Sequence, residues 1–249
     1  MKKTPERDKL ILAGLYLSKF DSHGLERLGF GGFVEAFNVL GLAIGGRPAS
    51  IKGYRDEFDP LFPNSRMGWH KRPMRAHCKA ILDQFGGLDE DKFTALIKSV
   101  IYKRPDLDVL AETISSEIEA QGDTFAKRLI TGQAAEQYFR SNYDGIAQFK
   151  GFDLEDTTQL GCGFDFKLAS EQTFLGIEVK GLNEPSGSVM LTEKEHKVAA
   201  HLRERYFLFV VKNFKEKPFH DVYQNPLNSA LAFSRLERST VQVSWRAAV

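Results

Sequence analysis

The stretch Phe174-Leu-Gly-Ile-Glu-Val-Lys-Gly181 decides how this chain is read. Side chains of a strand alternate faces, so residues two apart share one. Leu175, Ile177 and Val179 then form an apolar face, and Glu178 and Lys180 project together from the other. A carboxylate and an ammonium in a run that otherwise reads as a buried strand need each other or a metal. Upstream, Gly161-Cys-Gly-Phe-Asp-Phe-Lys-Leu168 sets Asp165 between two phenylalanines. Ser170-Glu-Gln-Thr173 suits a turn, so two antiparallel strands are expected to bring Asp165 near Glu178. Carboxylates that close repel unless a proton or a cation intervenes. Mg²⁺ takes oxygen ligands and keeps several waters, so Asp165, Glu178 and a strand carbonyl would suffice for it, with Mn²⁺ as a substitute. Lys180 would stand beside a bound water, to orient it, to deprotonate it or to stabilise charge on a phosphate.

Outward from this pair, the second half of the chain alternates strand and helix signals. Strands are expected near 146–149, 163–168, 174–180 and 206–212, with another at Val241–Trp245. The segment 122–143 carries a helical pattern through Phe125, Leu129, Ala135 and Phe139. Leu191 to Arg205 reads as a helix, with Thr192 and Glu195 in capping-box spacing. Tyr206-Phe-Leu-Phe-Val-Val-Lys212 has the aromatic and β-branched content of a buried strand. The order is helix, strand, Asp-bearing strand, Glu-x-Lys strand, helix, strand.

Gly163-Phe-Asp165 followed by Ile177-Glu-Val-Lys-Gly181 resembles the active-site pattern of the PD-(D/E)XK nuclease superfamily. More narrowly, residues 131–213 resemble the restriction-endonuclease-like domain named after the C-terminus of the plant NO VEIN protein. The supporting positions are Gly132 and Glu136, Asp165, Glu178 to Gly181, Leu191-Thr192 with Glu195, and the strand Tyr206 to Asn213. The resemblance implies an α/β (α+β) fold, a restriction-endonuclease-like mixed sheet flanked by helices. It also implies Mg²⁺-dependent phosphodiester cleavage, with Asp165 and Glu178 as metal ligands and Lys180 as the catalytic lysine. Glu136 matches an acid that often faces the same site. Phe164 stands where the pattern usually has proline, a departure on the Asp side.

The first half reads as helical, near 5–20, 32–44, 51–62, 89–102 and 107–120, with Ser50 as the expected N-cap of the third helix. Between Arg47 and His77 lie seven cations against three acids. A helix, a Gly-Gly-Arg-Pro turn and a second helix bearing Lys52 and Arg55 would suit a helix-turn-helix-like reader of duplex DNA. The expected DNA-contact set is Arg47, Ser50, Lys52, Tyr54, Arg55, Arg66, Trp69, His70, Lys71, Arg72 and Arg75. The bland alternative is a turn-rich surface with Arg55 paired to Asp59. The run Gly46 to Pro73 also resembles an N-terminal helical module of restriction-type and other phage-defence nucleases. Zinc is not expected from His70, His77 and Cys78, because no Cys-x-x-Cys partner exists. The glycines of Gly29 to Phe33 lack a following Gly-Lys-Ser/Thr and are no phosphate loop.

A chain of 249 residues allows one large domain or two modest ones, here taken as a helical DNA-recognition region over 1–122 and a nuclease domain over 123–249. The net charge of +1 announces no nucleic-acid binder, so any basic surface is local. Two cysteines are too few for a disulfide framework. No signal peptide or membrane span is expected, and the reducing cytoplasm is the default. The sequence-based expectation is a Mg²⁺-dependent endonuclease acting on double-stranded DNA, of the restriction or phage-defence kind. Cutting both strands favours a homodimer, and a cognate methyltransferase is a candidate partner. The rival readings are a non-catalytic DNA- or protein-binding module of a larger assembly and an RNA-processing nuclease.

Overall fold

The computed structural model describes residues 5–66, 72–101 and 122–236. Among the described residues five α-helices come first: α1 (Glu6–Arg27), α2 (Phe33–Ile44), α3 (Pro48–Phe58), α4 (Ala76–Phe85) and α5 (Glu90–Ile101). α6 (Gly122–Asn142) leads into the sheet strands β1 (Asp153–Asp156), β2 (Phe166–Ala169) and β3 (Phe174–Gly181). α7 (Glu193–Leu202) then crosses to β4 (Tyr206–Lys212), and β5 (Phe219–Gln224) closes the described sheet. The strands lie in the order β1-β2-β3-β4-β5. All neighbours run antiparallel except β3 and β4, which are parallel, as a helical crossover requires. The expected mixed sheet flanked by helices is therefore present.

Each face of the sheet has its own cover. Phe166, Ile177, Val179, Phe207, Phe209 and Val211 point to the α6 side and join the main core. Phe139 of α6 sits between two of them, its ring centroid 5.0 Å from Phe166 and 4.9 Å from Phe209. On the other face α7 builds a smaller core from Ala199, Leu202 and Tyr206, with Phe164, Phe174 and Val198 against it. Glu178 and Lys180 belong to this second face, with α7 in front of them.

The helices at the start of the chain pack behind α6 and share the main core, which runs unbroken from Leu10 to Phe214. Residue 122, the expected boundary, is the first residue of α6. Two polar ties cross it. Asn38 of α2 donates to the carbonyls of Phe214 and Glu216, at 2.7 and 2.9 Å, and Lys127 of α6 meets Glu35 of α2 at 2.6 Å. Gly14 has a specific use. A Cβ there would stand 2.6 Å from Tyr54 Cβ and 2.9 Å from the Arg55 nitrogen, so glycine is what lets α3 lie on α1.

Several expectations need correction. Residues 147–149 form a 3₁₀ turn and no strand; their apolar signal is Phe149, buried against Phe139 and Phe207. The third helix starts at Pro48 after Arg47, so Ser50 is inside it and caps nothing. α4, β1 and β5 were not expected. The helix expected near 107–120 and the strand at 241–245 lie outside the described residues, as do Trp69, His70 and Lys71. Among the described residues no helix is long and apolar enough to cross a membrane.

Candidate active site

Glu178 and Lys180 leave β3 on the same face, as the two-residue period requires. Glu178 is buried, and its Oε1 lies 2.7 Å from Lys180 Nζ. Asp165 is the residue just before β2. Its backbone N–H donates to the Ile177 carbonyl at 2.9 Å, and its Oδ2 accepts from the Val179 N–H at 2.9 Å. Both bonds fasten Asp165 to the strand that carries Glu178. The loop leading to it is held from below, because Tyr206 of β4 donates its hydroxyl to the Gly163 carbonyl at 3.1 Å. Gly163 has φ +88°, and a Cβ there would come within 2.7 Å of Val198 Cγ2 on α7. Glycine is thus required twice, by the backbone conformation and by the helix packed on it.

A third acid completes the group. Glu195, in the first turn of α7, accepts from Lys180 Nζ at 3.0 Å through Oε2. The same oxygen accepts from the Thr192 N–H at 2.9 Å, while the Glu195 N–H donates to Thr192 Oγ1 at 3.2 Å. The expected capping box is therefore formed, and it reaches the site. Sequence reading found Glu195 as a cap and missed its contact with Lys180. Glu136 is half-buried on α6, next to the Ala135 that packs on Gly181 of β3.

Three carboxylates and one ammonium share this small volume. Burial pushes the Asp165 carboxyl up to about 6, only partly offset by the Lys180 charge. Burial, then the charge of Asp165, raises Glu178 well above the ordinary glutamate range. For Lys180 burial acts downward, but Glu178, Glu195 and Asp165 outweigh it and hold the ammonium above the usual lysine value. With all four ionised the cluster carries two excess negative charges, the arithmetic being three acids less one lysine. A hard divalent cation would balance them. Asp165 and Glu178 supply oxygen donors, as Mg²⁺ prefers. Among the described residues no three His, Cys, Asp or Glu side chains are grouped to hold a metal unaided. Remaining ligands would have to be a main-chain carbonyl and water, which Mg²⁺ accepts.

The basic segment behaves differently from its expectation as a DNA reader. Arg55 is buried, paired with Asp56 at 2.6 Å and Asp59 at 3.6 Å, with its guanidinium over Phe33 and Phe37. Arg66 meets Asp59 through two bonds of 2.9 Å and also reaches Asp21. Neither is available to a phosphate, and both are corrected to structural cations. Arg75 binds Glu57 and lies over Tyr54, and Arg72 reaches the same Glu57 at 3.4 Å. Arg47, Lys52 and Arg72 keep exposed side chains, Lys52 with a surface bridge of 2.9 Å to Asp56.

Residues 135–224 match the family model described as Protein NO VEIN, C-terminal, a domain of the PD-(D/E)XK nuclease-like type. The match starts within α6 and ends at the last residue of β5, so it contains Glu136, Asp165, Glu178, Lys180 and Glu195. The chain matches no curated protein and no solved structure.

Proposed function

From a chain that carries a nuclease-like domain of the NO VEIN C-terminal type, we propose a Mg²⁺-dependent endonuclease that hydrolyses phosphodiester bonds of double-stranded DNA, of the restriction or phage-defence kind. The observation that carries this reading is the convergence of Asp165, Glu178 and Lys180 on one sheet face, next to the N-terminus of α7. Asp165 and Glu178 would hold the metal. When bound, Mg²⁺ lowers the pKa of a coordinated water and offsets phosphate charge.

The chain's own groups do the rest. The Val179 N–H fixes Asp165 against β3, so its carboxylate cannot swing away from Glu178. An ammonium has three donors. Lys180 directs two at Glu178 and Glu195, and in this reading the third serves a phosphate oxygen. Fixed in this way, it meets charge that grows on the phosphate without having to reorganise. Arg47, Lys52 and Arg72 are the proposed phosphate contacts on the N-terminal helices. Cleavage of both strands calls for two such sites, hence a homodimer, and in a restriction setting a cognate methyltransferase would protect host DNA.

The test is nicking of supercoiled plasmid with Mg²⁺ or Mn²⁺ and with chelator. Lys180→Ala and Glu178→Ala are expected to lower the rate by about 10²- to 10³-fold or more. DNA retention on a gel should stay within about threefold, since charge at the chemistry and phosphate contacts elsewhere are separable. If wild type and Lys180→Ala are equally inert on several DNAs while both bind, the protein is a non-catalytic module. Preferential cleavage of RNA would move the substrate.

A further inference from the structure

Resting on the nuclease reading, we infer that Glu195 is a positioning residue, which holds the Lys180 ammonium over Glu178 through the same carboxylate that closes the N-terminus of α7. Two donors from different elements converge on one oxygen: Glu195 Oε2 takes the Thr192 N–H at 2.9 Å and Lys180 Nζ at 3.0 Å. A capping box needs only an acceptor at this position, and glutamine serves as well as glutamate. In the cap the carboxylate charge adds only a modest attraction to the helix N-terminus, whereas at Lys180 it meets a full positive charge at 3.0 Å.

Lysine is a flexible four-carbon stem with a compact charge, poorly placed unless something holds its end. Glu178 alone, two residues away on the same strand, gives one anchor. Glu195 comes from the opposite layer, 15 residues along the chain, and gives a second one from another direction. Between them they fix where Nζ stands relative to the strand. α7 is itself anchored to β4 through the core of Ala199, Leu202 and Tyr206, so the second anchor is rigid. Position of the lysine is thus set by the seating of α7, and through Tyr206 and Gly163 the same layer supports the loop that carries Asp165.

Three variants separate cap from charge. Glu195→Gln keeps an acceptor for the Thr192 N–H and removes the charge facing Lys180. Thr192→Ala removes the hydroxyl of the cap and leaves the Glu195–Lys180 contact. Glu195→Ala removes both functions of Glu195. One readout is the rate of reductive methylation of Lys180, resolved by peptide mass spectrometry on the full chain. The others are kcat and KM for plasmid cleavage and the thermal midpoint. Glu195→Gln is expected to label Lys180 severalfold faster and to lower kcat about 10- to 100-fold, with KM within about twofold. Its midpoint should stay near wild type. Thr192→Ala should lower the midpoint by about 2–4 °C with labelling and kcat unchanged.

The inference is overturned if Glu195→Gln labels Lys180 at the wild-type rate, or if it cuts at the wild-type rate. It is equally overturned if Thr192→Ala loses as much kcat as Glu195→Gln, because then the cap alone matters. If Glu195→Ala does not fold, Glu195→Gln still decides. Faster labelling of Lys180 in Glu195→Gln, with wild-type protein leaving every DNA intact, would keep the positioning contact and discard the nuclease reading.

Discussion

Glu57 lies buried on α3 and accepts from the Arg75 guanidinium and the Arg75 backbone N–H at 2.7 Å each, with Arg72 a further 3.4 Å contact. Burial, the largest single influence, pushes its carboxyl up, yet the bonds from Arg75 and Arg72 together hold it down from 4.5 to about 2. The sign follows from linkage. A carboxyl whose folded pKa is depressed stabilises the fold fully above its unfolded value. For Glu57 that contribution is complete above 4.5 and is lost as pH falls through about 2. Glu57→Gln is expected to lower stability near neutral pH by about 1.5–3 kcal/mol, the range for hydrogen bonds to charged groups. The variant should also lose less stability than wild type between pH 4.5 and 2, read from urea midpoints across that window. Parallel acid limbs for the two proteins would refute the assignment. Glu57 and its neighbour Asp59 also show why the structural cations Arg55, Arg66 and Arg75 read as DNA contacts in the sequence. Counting charge along residues 47–77 finds an excess of cations, but cannot see that Glu57 and Asp59 are buried acceptors which draw Arg55, Arg66 and Arg75 inward. Glu178 and Lys180 were legible because a strand repeats every two residues. Glu195 was legible only as a cap, since its contact with Lys180 depends on how α7 folds back over β3.

At the scale of elements, the α1–α3 contact sets propensity against packing. Gly14 sits inside α1, where alanine would gain about 1 kcal/mol of helix propensity. The added methyl, however, would stand 2.6 Å from Tyr54 Cβ and 2.9 Å from the Arg55 nitrogen. Those atoms belong to the root of a side chain and to backbone, which cannot rotate out of the way. Overpacking of that kind costs about 1–3 kcal/mol, so it outweighs the propensity gain. Gly14→Ala is therefore expected to lower the thermal midpoint, and a rise would show that α3 can shift at little cost. The same competition explains which elements could be read. β4 is buried on both faces and carries an unbroken apolar run from Tyr206 to Val211, β3 is apolar apart from Glu178 and Lys180, and α7 announces itself by its capping box. β1 is Asp-Leu-Glu-Asp at the sheet edge, and β5 is half-exposed at the other. Their strand state comes from pairing with β2 and β4, not from any local pattern, so the sequence around them reads as loop. α4 was hidden in a segment whose prolines and basic residues suggested turns.

The whole molecule raises the question of whether the helices before residue 122 form a separate unit. α6 is packed on both sides, on the sheet through Phe139 and on α2 through the tie between Lys127 and Glu35. Removing the first five helices would strip one side of α6 and open the core that it shares with Leu10, Val39 and Leu40. Asn38 would vanish with them, leaving the carbonyls of Phe214 and Glu216 without the amide that bonds both. Surfaces this continuous unfold together. Calorimetry of the full chain is expected to give one transition, with calorimetric and van't Hoff enthalpies equal and near about 170 kcal/mol, from about 0.7 kcal/mol per residue. Asn38→Ala, which leaves two carbonyls unpaired at the junction, should move that single transition down and not split it, at a cost of about 1–3 kcal/mol per lost partner. Two separable transitions, or a fragment of 123–249 that melts cooperatively at the wild-type midpoint, would establish the helical part as an independent domain. In that event the shared core would be a docking interface.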